Sequence, residues 1–500
     1  VSAGKVWLVG AGPGDPGLLT LKGARAIARC DVLVYDNLVS RAILNLAPPR
    51  CEKIYVGKKS REHTLSQREI TALIVDLARS GKRVVRLKGG DVFVFARGGE
   101  EAQALKDAGI AYDVVPGISS AIAGPAYAGI PVTHRDHNTT FSISTGHEDP
   151  LKGYTSLDYA KLANPGATTI FLMAMGHLAG ITGALRANGL PGETPVAIVR
   201  EATTPQQATL VATLDTIVDE VERARFAAPA VVVIGTVVNE REAIRWFDDH
   251  PLFGRRVLIT RPIAQADDFA AQLWEIGAEP IVAPTIAIGP PDDPAPAERA
   301  VAHVRDYAWA IFTSRNGVDA FFAILDRQGR DARAFGDVRV AAIGPKTAEA
   351  LAERGLRVDF MPEVHVNEDV AEGIVARSGT GDRLLVFRAQ EAREVLPDLL
   401  RATGRTVDVV AAYATRTLID ARIAEGLAGA DIVTFTSAST VKGLITNVPN
   451  APALLATKIV AAIGPITARA ARDLGIAVDV VADDFTIEGL LRALAPGAAV

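Results

Sequence analysis

The chain has 500 residues, 49% of them hydrophobic and 22% charged, with a formal net charge of −5 at pH 7. That length and composition predict a globular chain of about two to four domains. With no apolar run of about 18 residues, no leader or lipidation signal and no basic half, the expectation is a cytoplasmic protein that neither spans a membrane nor binds nucleic acid. Two cysteines, Cys30 and Cys51, are too few for a disulfide framework or a thiolate metal site and are expected to be packing residues. The histidines show no HxxxH or HxH spacing, so no metal is expected. Lysine thins out after Pro251, where only Lys346, Lys442 and Lys458 occur, which supports two domains.

A strand over residues 5–9 opens into GAGPGDPGLLT, residues 10–20. This is not a dinucleotide fingerprint, because Asp15 stands where the third glycine is needed and Pro13 and Pro16 interrupt the helix entry. It does give a rim poor in side chains at a strand's carboxyl end. A helix over 20–28 and a buried strand over 31–35 follow, the strand ending in Asp36, which suits either chemistry or a loop cap. The cationic loop 56–63 reads as a solvated face or a polyanion site, and Ser66 with Glu69 forms a capping box for a helix to about Ala78.

The stretch RVVRLKGGDVFVFARGGEE, residues 83–101, is the centre of the first half. A buried strand ends in Gly89 and Gly90, which remove Cβ atoms where a ligand could lie against backbone. Asp91 then supplies an acceptor for hydroxyls or a cation, or caps a turn. A helix over 100–108 and a strand over 112–115 lead into Pro116-Gly117-Ile118-Ser119-Ser120. The Gly and Pro clusters in 124–127 and 129–135 read as a connection between subdomains. Strands are expected over 141–145, ending at His147, and near 168–173, 195–199 and 230–235, with helices near 181–188 and 214–224. Met175 reads as core.

Across residues 5–250 the motifs GAGPGDPGLLTLKG, DVLVYDNLVS, VGKK, VVRLKGGD, RGGEE, VPGISSA, PAYAGIPVTHR and TGH occur in order. This half resembles the uroporphyrinogen-III C-methyltransferases of the tetrapyrrole methylase family. The resemblance implies two α/β subdomains, about 1–120 and 121–250, that are not a Rossmann fold. It also implies an S-adenosylmethionine site in their cleft, S-adenosylhomocysteine as product, and a homodimer formed through this half. Carried over by position, the cofactor contacts are Pro13, Gly89, Gly90, Asp91, Val94, Ser119, Ser120, Met175 and Ala202. Asp36 matches the family's proposed proton acceptor and Lys58 its proposed donor. The sequence departs from the family pattern at Val92, usually Pro, at Ala96, usually Gly, and at Glu201-Ala202. The Ala202 methyl is expected close to where backbone approaches adenosine.

Residues 246–254, WFDDHPLFG, read as a short polar linker. An α/β alternation follows, with strands over 256–260, 279–283, 309–313 and 339–343 and helices over 265–276, 317–326 and 347–354. FTSRNGV at 312–318 recurs as FTSASTV at 435–441, and AAIGPKTA at 341–348 recurs as AAIGPITA at 461–468. Two similar doubly wound α/β units facing across a cleft are expected, their helix N-termini suited to carboxylates or serving only as caps.

With TRP near Thr260, Arg388 and Arg393 in FRAQEAR, and Tyr413, residues 255–497 resemble uroporphyrinogen-III synthase. The resemblance implies cofactor-free conversion of hydroxymethylbilane to uroporphyrinogen III, with Tyr413 as acid and Ser314, Thr347, Arg388, Arg393, Ser437 and Thr467 as substrate-binding residues. The whole chain is then expected to be bifunctional, residues 251–500 closing the macrocycle and residues 1–250 methylating it at C2 and C7 to precorrin-2. A methyltransferase acting later in corrin assembly, with a silent tetrapyrrole-binding second half, is the alternative.

Overall fold

Runs of aliphatic and β-branched residues assemble four five-stranded sheets in the computed structural model, which describes residues 4–57, 65–147, 155–364 and 366–497. The chain divides into two compact units. One holds the chain through Arg255 together with Leu273–Glu279, and the other holds Arg256–Gln272 and Pro280–Pro496. Among the described residues no helix is long and apolar enough to cross a membrane.

In the first unit, Lys5–Gly10 (β1), Val32–Tyr35 (β2), Glu52–Tyr55 (β3), Arg83–Lys88 (β4) and Ala111–Val115 (β5) pair in parallel, in the order β3-β2-β4-β1-β5. Val6, Leu8, Val34, Val84 and Val85 have no exposed surface, as expected of parallel strands covered on both faces. The order differs from that of the dinucleotide-binding fold. The chain leaving β1 runs one way along the sheet to β2, and the chain leaving β4 runs the other way to β5. The two connections leave neighbouring strands in opposite directions, each passing the other strand, so the loops leaving β1 and β4 lie side by side at the carboxyl-end crevice of the sheet.

The second sheet joins Thr140–Thr145 (β6), Ala167–Leu172 (β7), Pro195–Arg200 (β8), Ala208–Thr213 (β9) and Ala230–Ile234 (β10) in the order β6-β7-β10-β8-β9. Only β6 and β7 are parallel. Strand β9, ATLVAT, has no counterpart in the sequence reading although it is apolar and β-branched; it is an edge strand without a fully buried residue.

Two expectations change. The Gly–Pro segment 124–127 is not a connection but the end of a helix, Ser120–Tyr127, which buries Ala121, Ala123, Gly124 and Pro125. Packing there overrides the local preference for a loop. Nor is segment 246–254 a solvated tether. Phe247 is 2% exposed, its ring lies 4.8 Å from Tyr127, Trp246 Nε1 donates to the Ala126 carbonyl at 3.0 Å, and Asp248 accepts from Gln207 at 3.0 Å and pairs with Arg241.

The second unit comprises Arg256–Ile259 (β11), Glu279–Val282 (β12), Ile286–Gly289 (β13), Trp309–Phe312 (β14), Arg339–Ala342 (β15), Arg383–Ala389 (β16), Thr406–Thr417 (β17), Ile432–Phe435 (β18), Ile459–Ala462 (β19) and Val480–Val481 (β20). One sheet has the order β12-β11-β18-β19-β20 and the other β13-β17-β16-β14-β15. The repeated segments therefore fall one copy per sheet, at the ends of β14 and β15 and of β18 and β19. The units are not consecutive, however: the chain begins one sheet, builds the whole of the other, and returns. The strand expected ahead of Tyr413 is the 12-residue β17, which runs on past that residue and changes partners along its length, pairing in parallel with β16 and antiparallel with β13.

Burial holds the His250 imidazole, which lies edge-on to Trp246 and Phe247, below the ordinary histidine range against a smaller opposing pull from Asp249. The folded state prefers the neutral ring, so the unfolded chain binds the proton more readily. The contribution is complete above about pH 6.5 and is lost as pH falls through the folded value. Thermal melts of wild type and His250→Gln at about pH 7.5 and about pH 5 should show a smaller loss of stability in the variant; equal losses would mean that His250 carries none of the pH dependence.

Candidate active sites of the two units

At the crevice of the first sheet, three loops meet backbone to backbone. Gly12 donates to the Gly90 carbonyl at 3.2 Å and Gly90 donates to the Gly12 carbonyl at 2.7 Å. A Cβ on Gly117 would lie 2.3 Å from the Gly90 carbonyl oxygen, and one on Gly10 would lie 2.6 Å from Gly117 Cα. No side chain fits there. Gly90 also has φ +67°, the left-handed region that favours glycine. Asp91 fastens this junction: Oδ1 accepts from the amides of Phe93 (2.8 Å) and Val94 (3.1 Å), and Oδ2 accepts from Gly117 (3.0 Å). Of the two roles open to Asp91 in the sequence, the turn cap is the one these bonds describe. Ser119 caps helix Ser120–Tyr127 through the Ala121 amide, and a Cβ on Gly90 would lie 3.9 Å from Ser119 Cα and the Ser120 nitrogen. Gly89, Gly90, Asp91, Val94, Ser119 and Ser120 thus share one rim.

Gly14, next to Pro13, meets the loop after β8, where a Cβ on it would lie 3.2 Å from the Ala202 carbonyl oxygen. The Asp15 amide donates to Thr203 Oγ1 at 3.1 Å, and Tyr127 donates to Asp15 Oδ2 at 2.6 Å. Burial and the Asp15 carboxylate push the Tyr127 phenol above its ordinary range. Glu201 (φ +44°) and Thr203 (φ +69°) both adopt left-handed backbone, an outlier for a β-branched residue such as Thr203. The Ala202 methyl is buried, and a Cβ on Gly124 would lie 3.3 Å from it. It packs into the core beside helix Ser120–Tyr127. Val92 is likewise fully buried in the core. Met175 lies in the turn Met175–His177 after β7, packed on that sheet's core. His147 lies across from His177, with ring centroids 5.8 Å apart.

Asp36, at the end of β2, accepts from the Leu38 amide at 3.2 Å and lies 3.5 Å from the Arg86 guanidinium. Behind it is an ion cluster sealed from water. Glu101 Oε1 receives Arg86 Nε at 3.3 Å, Lys88 Nζ at 3.1 Å and Gln67 Nε2 at 2.9 Å. Arg86 and Lys88 are almost wholly buried and Glu101 completely so, its Oε2 without a hydrogen-bond partner among the described residues. Burial, and then repulsion from Arg86, draws Lys88 below the ordinary lysine range, with Glu101 opposing. The sequence reading missed this cluster although all three residues lie in its central motif. The available signal was two cations at i and i+2 on one face of an otherwise apolar strand. Above it, Leu38, Phe93 and Phe95 stand exposed on the loops after β2 and β4. Lys58 lies outside the described residues.

In the second unit, Ser314 Oγ accepts from the Gly317 amide at 3.1 Å, capping helix Arg315–Arg327, and shares a 3.0 Å hydrogen bond with the Tyr413 hydroxyl. A register shift at Arg388/Ala389 places Ala389 opposite Tyr413, the kind of irregularity that re-aims a side chain. Arg388 is buried, with its guanidinium bonded to the Arg393 carbonyl and the Glu394 carboxylate, whereas Arg393 is exposed. The arginine pair is therefore split between a strut and a free surface group. Ser437 forms a capping box with Thr440 at the start of helix Ala438–Asn447. Thr347 and Thr467 are buried in the first turns of helices Pro345–Glu353 and Pro465–Asp473. The two sheets are bridged by Gln265, which donates to Asn316 at 2.9 Å and accepts from Arg261 at 3.2 Å. The sequence reading did not anticipate this link.

Known proteins match both halves. A family model described as Tetrapyrrole (Corrin/Porphyrin) Methylases matches residues 5–218, and one for Uroporphyrinogen-III synthase HemD matches residues 267–492. The porphyrin biosynthesis protein HemD of Ruminiclostridium josui is 37% identical over 98% of this chain and 97% of its own. The uroporphyrinogen-III C-methyltransferase of Bacillus subtilis (strain 168) is 39% identical over 71% and 72%. The S-adenosyl-L-methionine-dependent uroporphyrinogen III methyltransferase of Methanosarcina barkeri is 49% identical over 47% of this chain and 92% of its own. A tetrapyrrole methylase half thus precedes a uroporphyrinogen-III synthase half, and the chain belongs to these porphyrin-biosynthesis families as a bifunctional enzyme, a uroporphyrinogen-III C-methyltransferase and a uroporphyrinogen-III synthase.

Proposed function

We propose that the second unit closes hydroxymethylbilane to uroporphyrinogen III with inversion of ring D, and that the first unit methylates the product at C2 and C7 to precorrin-2. The observation that most supports the methylation step is the placement of Asp36 against Arg86 and the buried Glu101–Lys88 pair, next to a crest whose glycines leave backbone open to a ligand. S-adenosylmethionine supplies an electrophilic methyl group on a sulfonium. Gly89, Gly90, Val94, Ser119 and Ser120 hold it at the crest, with Pro13, Met175 and Ala202 on the opposing loops. Asp91 acts through the loops it fastens. Asp36 takes the proton released from the methylated macrocycle, Arg86 keeps that carboxylate oriented, and Lys58 acts as proton donor. Leu38, Phe93 and Phe95 offer apolar surface to pyrrole rings, and exclusion of water with alignment supplies most of the acceleration.

In the second unit, the Gly317 amide occupies one lone pair of Ser314 Oγ, so the serine hydrogen is free to point at the Tyr413 oxygen. Tyr413 then donates its own proton to the departing hydroxyl of the bilane. Arg393 and the helix N-termini near Thr347, Ser437 and Thr467 suit substrate carboxylates. Arg388 contributes by holding the Arg393 loop.

Asp36→Asn should lower methylation of supplied uroporphyrinogen III by about a hundredfold or more, the usual cost of a lost general base, while calorimetry finds S-adenosylhomocysteine binding unchanged. Wild-type turnover would remove Asp36 from the mechanism. Tyr413→Phe should slow formation of the III isomer and let the bilane close without inversion to the I isomer, as read by chromatography of the oxidised products. An unaltered rate and isomer ratio would reduce Tyr413 to packing.

A further inference from the structure

Away from the crest, three side chains with metal-ligand chemistry converge in the first unit. His134 and His137 belong to one tight loop, closed by a bridge between His134 and Asn138. The His134 amide donates to Asn138 Oδ1 at 2.8 Å, and Asn138 Nδ2 donates to the carbonyls of Val132 and Thr140 and to Thr168 Oγ1, at 3.0, 2.9 and 2.8 Å. Those bonds lock the loop to β6 and β7. Glu240, 103 positions beyond His137, ends the turn Thr236–Glu240 that follows β10. His137 Nε2 and Glu240 Oε1 lie 2.6 Å apart, and one ligand atom from each of the three residues falls within 4.8 Å of the others. All three side chains are half-buried, so the cluster is held in place yet open to an ion from solvent. The expectation of no metal rested on i,i+2 and i,i+4 spacings. It could not see an i,i+3 pair in a turn joined by a carboxylate from another element.

We propose that His134, His137 and Glu240 form a site for one divalent transition-metal ion of the zinc type. Two imidazoles and a carboxylate are a known donor set for zinc and leave a fourth position for water. Metal–ligand bonds of about 2.0–2.2 Å place tetrahedral ligand atoms about 3.2–3.6 Å apart. The widest pair therefore has to close by roughly 1 Å and the hydrogen-bonded pair to open by a similar amount, shifts that side-chain rotation supplies without moving the locked loop. Asp136 stands behind His134, with its carboxylate 4.0 Å and its amide 3.3 Å from Nδ1, so the outer nitrogen has a partner of either polarity. A bound ion would brace the segment between the two sheets of this unit, which Arg241, adjacent to Glu240, already holds through the Ala128 carbonyl.

The test uses tag-free, chelator-treated full-length protein. Calorimetric titration with zinc(II) should give one equivalent per chain, and cobalt(II) should give visible d–d bands of low coordination number. Zinc should also raise the melting temperature. His137→Ala and Glu240→Gln, each checked for folding by far-ultraviolet circular dichroism, should weaken binding by about tenfold or more and abolish the thermal shift. His177→Ala, on the separate His147–His177 pair, should bind as wild type. Absence of stoichiometric binding, binding that survives both ligand substitutions, or loss of binding in His177→Ala would each overturn the assignment. If His137→Ala fails to fold, Glu240→Gln alone decides.

Discussion

Direct contact between the main chains of the loops leaving β1, β4 and β5 is the constraint on which the methylase half depends. At Gly117 a single added carbon would lie 2.3 Å from a carbonyl oxygen, well inside any tolerable separation, so the position admits only hydrogen. That proximity lets one carboxylate, Asp91, bond to two different loops. From beneath, the crest is fixed by charge. Burying an ion costs several kcal/mol unless partners surround it, and here Glu101 answers both Arg86 and Lys88 while Gln67 shares its oxygen. Glu101 belongs to helix Gly98–Asp107 and Gln67 to helix Gln67–Arg79, so the cluster ties both helices to β4. The crest is consequently rigid from two sides, and Asp36 borrows that rigidity through Arg86.

What was legible in the sequence depended on whether the cause was local. The capping box at Ser66 and Glu69 forms as read, since all of its atoms lie within four residues. The apolar strands of the parallel sheet were also legible, because burial on both faces leaves a continuous signature. Asp91 was ambiguous because its third partner, Gly117, is 26 residues away. Strand β9 was passed over although its ATLVAT is apolar and β-branched, and helix Ser120–Tyr127 was misread because its Gly and Pro are held by neighbours rather than by propensity. The methylase motifs located the crest, but they did not reveal that three of their charged residues are buried against one another.

The duplicated segments of the synthase half show the same divide. Ser314 and Ser437 do the same local work, each capping a helix three residues ahead. In the second copy Thr440 completes the box with its own hydroxyl, whereas the first copy has Gly317 there, and β17 passes close enough for Tyr413 to take the Ser314 hydroxyl as partner. Repeated sequence thus preserved the cap, while one small substitution and one long strand made the two copies chemically unequal.

The nesting of one synthase sheet inside the other also bears on how the polypeptide matures on the ribosome. Strands β13 to β17 are contiguous in sequence and can pair as soon as they emerge, but Arg256, at the start of β11, meets its partner Asp431 only at a separation of 175 positions along the chain. Such long-range parallel pairing is slow, and a strand awaiting its neighbour is prone to off-pathway association. Vectorial synthesis therefore completes the inner sheet first and leaves one side of β11 unsatisfied until β18 arrives, which makes the last stretch of translation the vulnerable one.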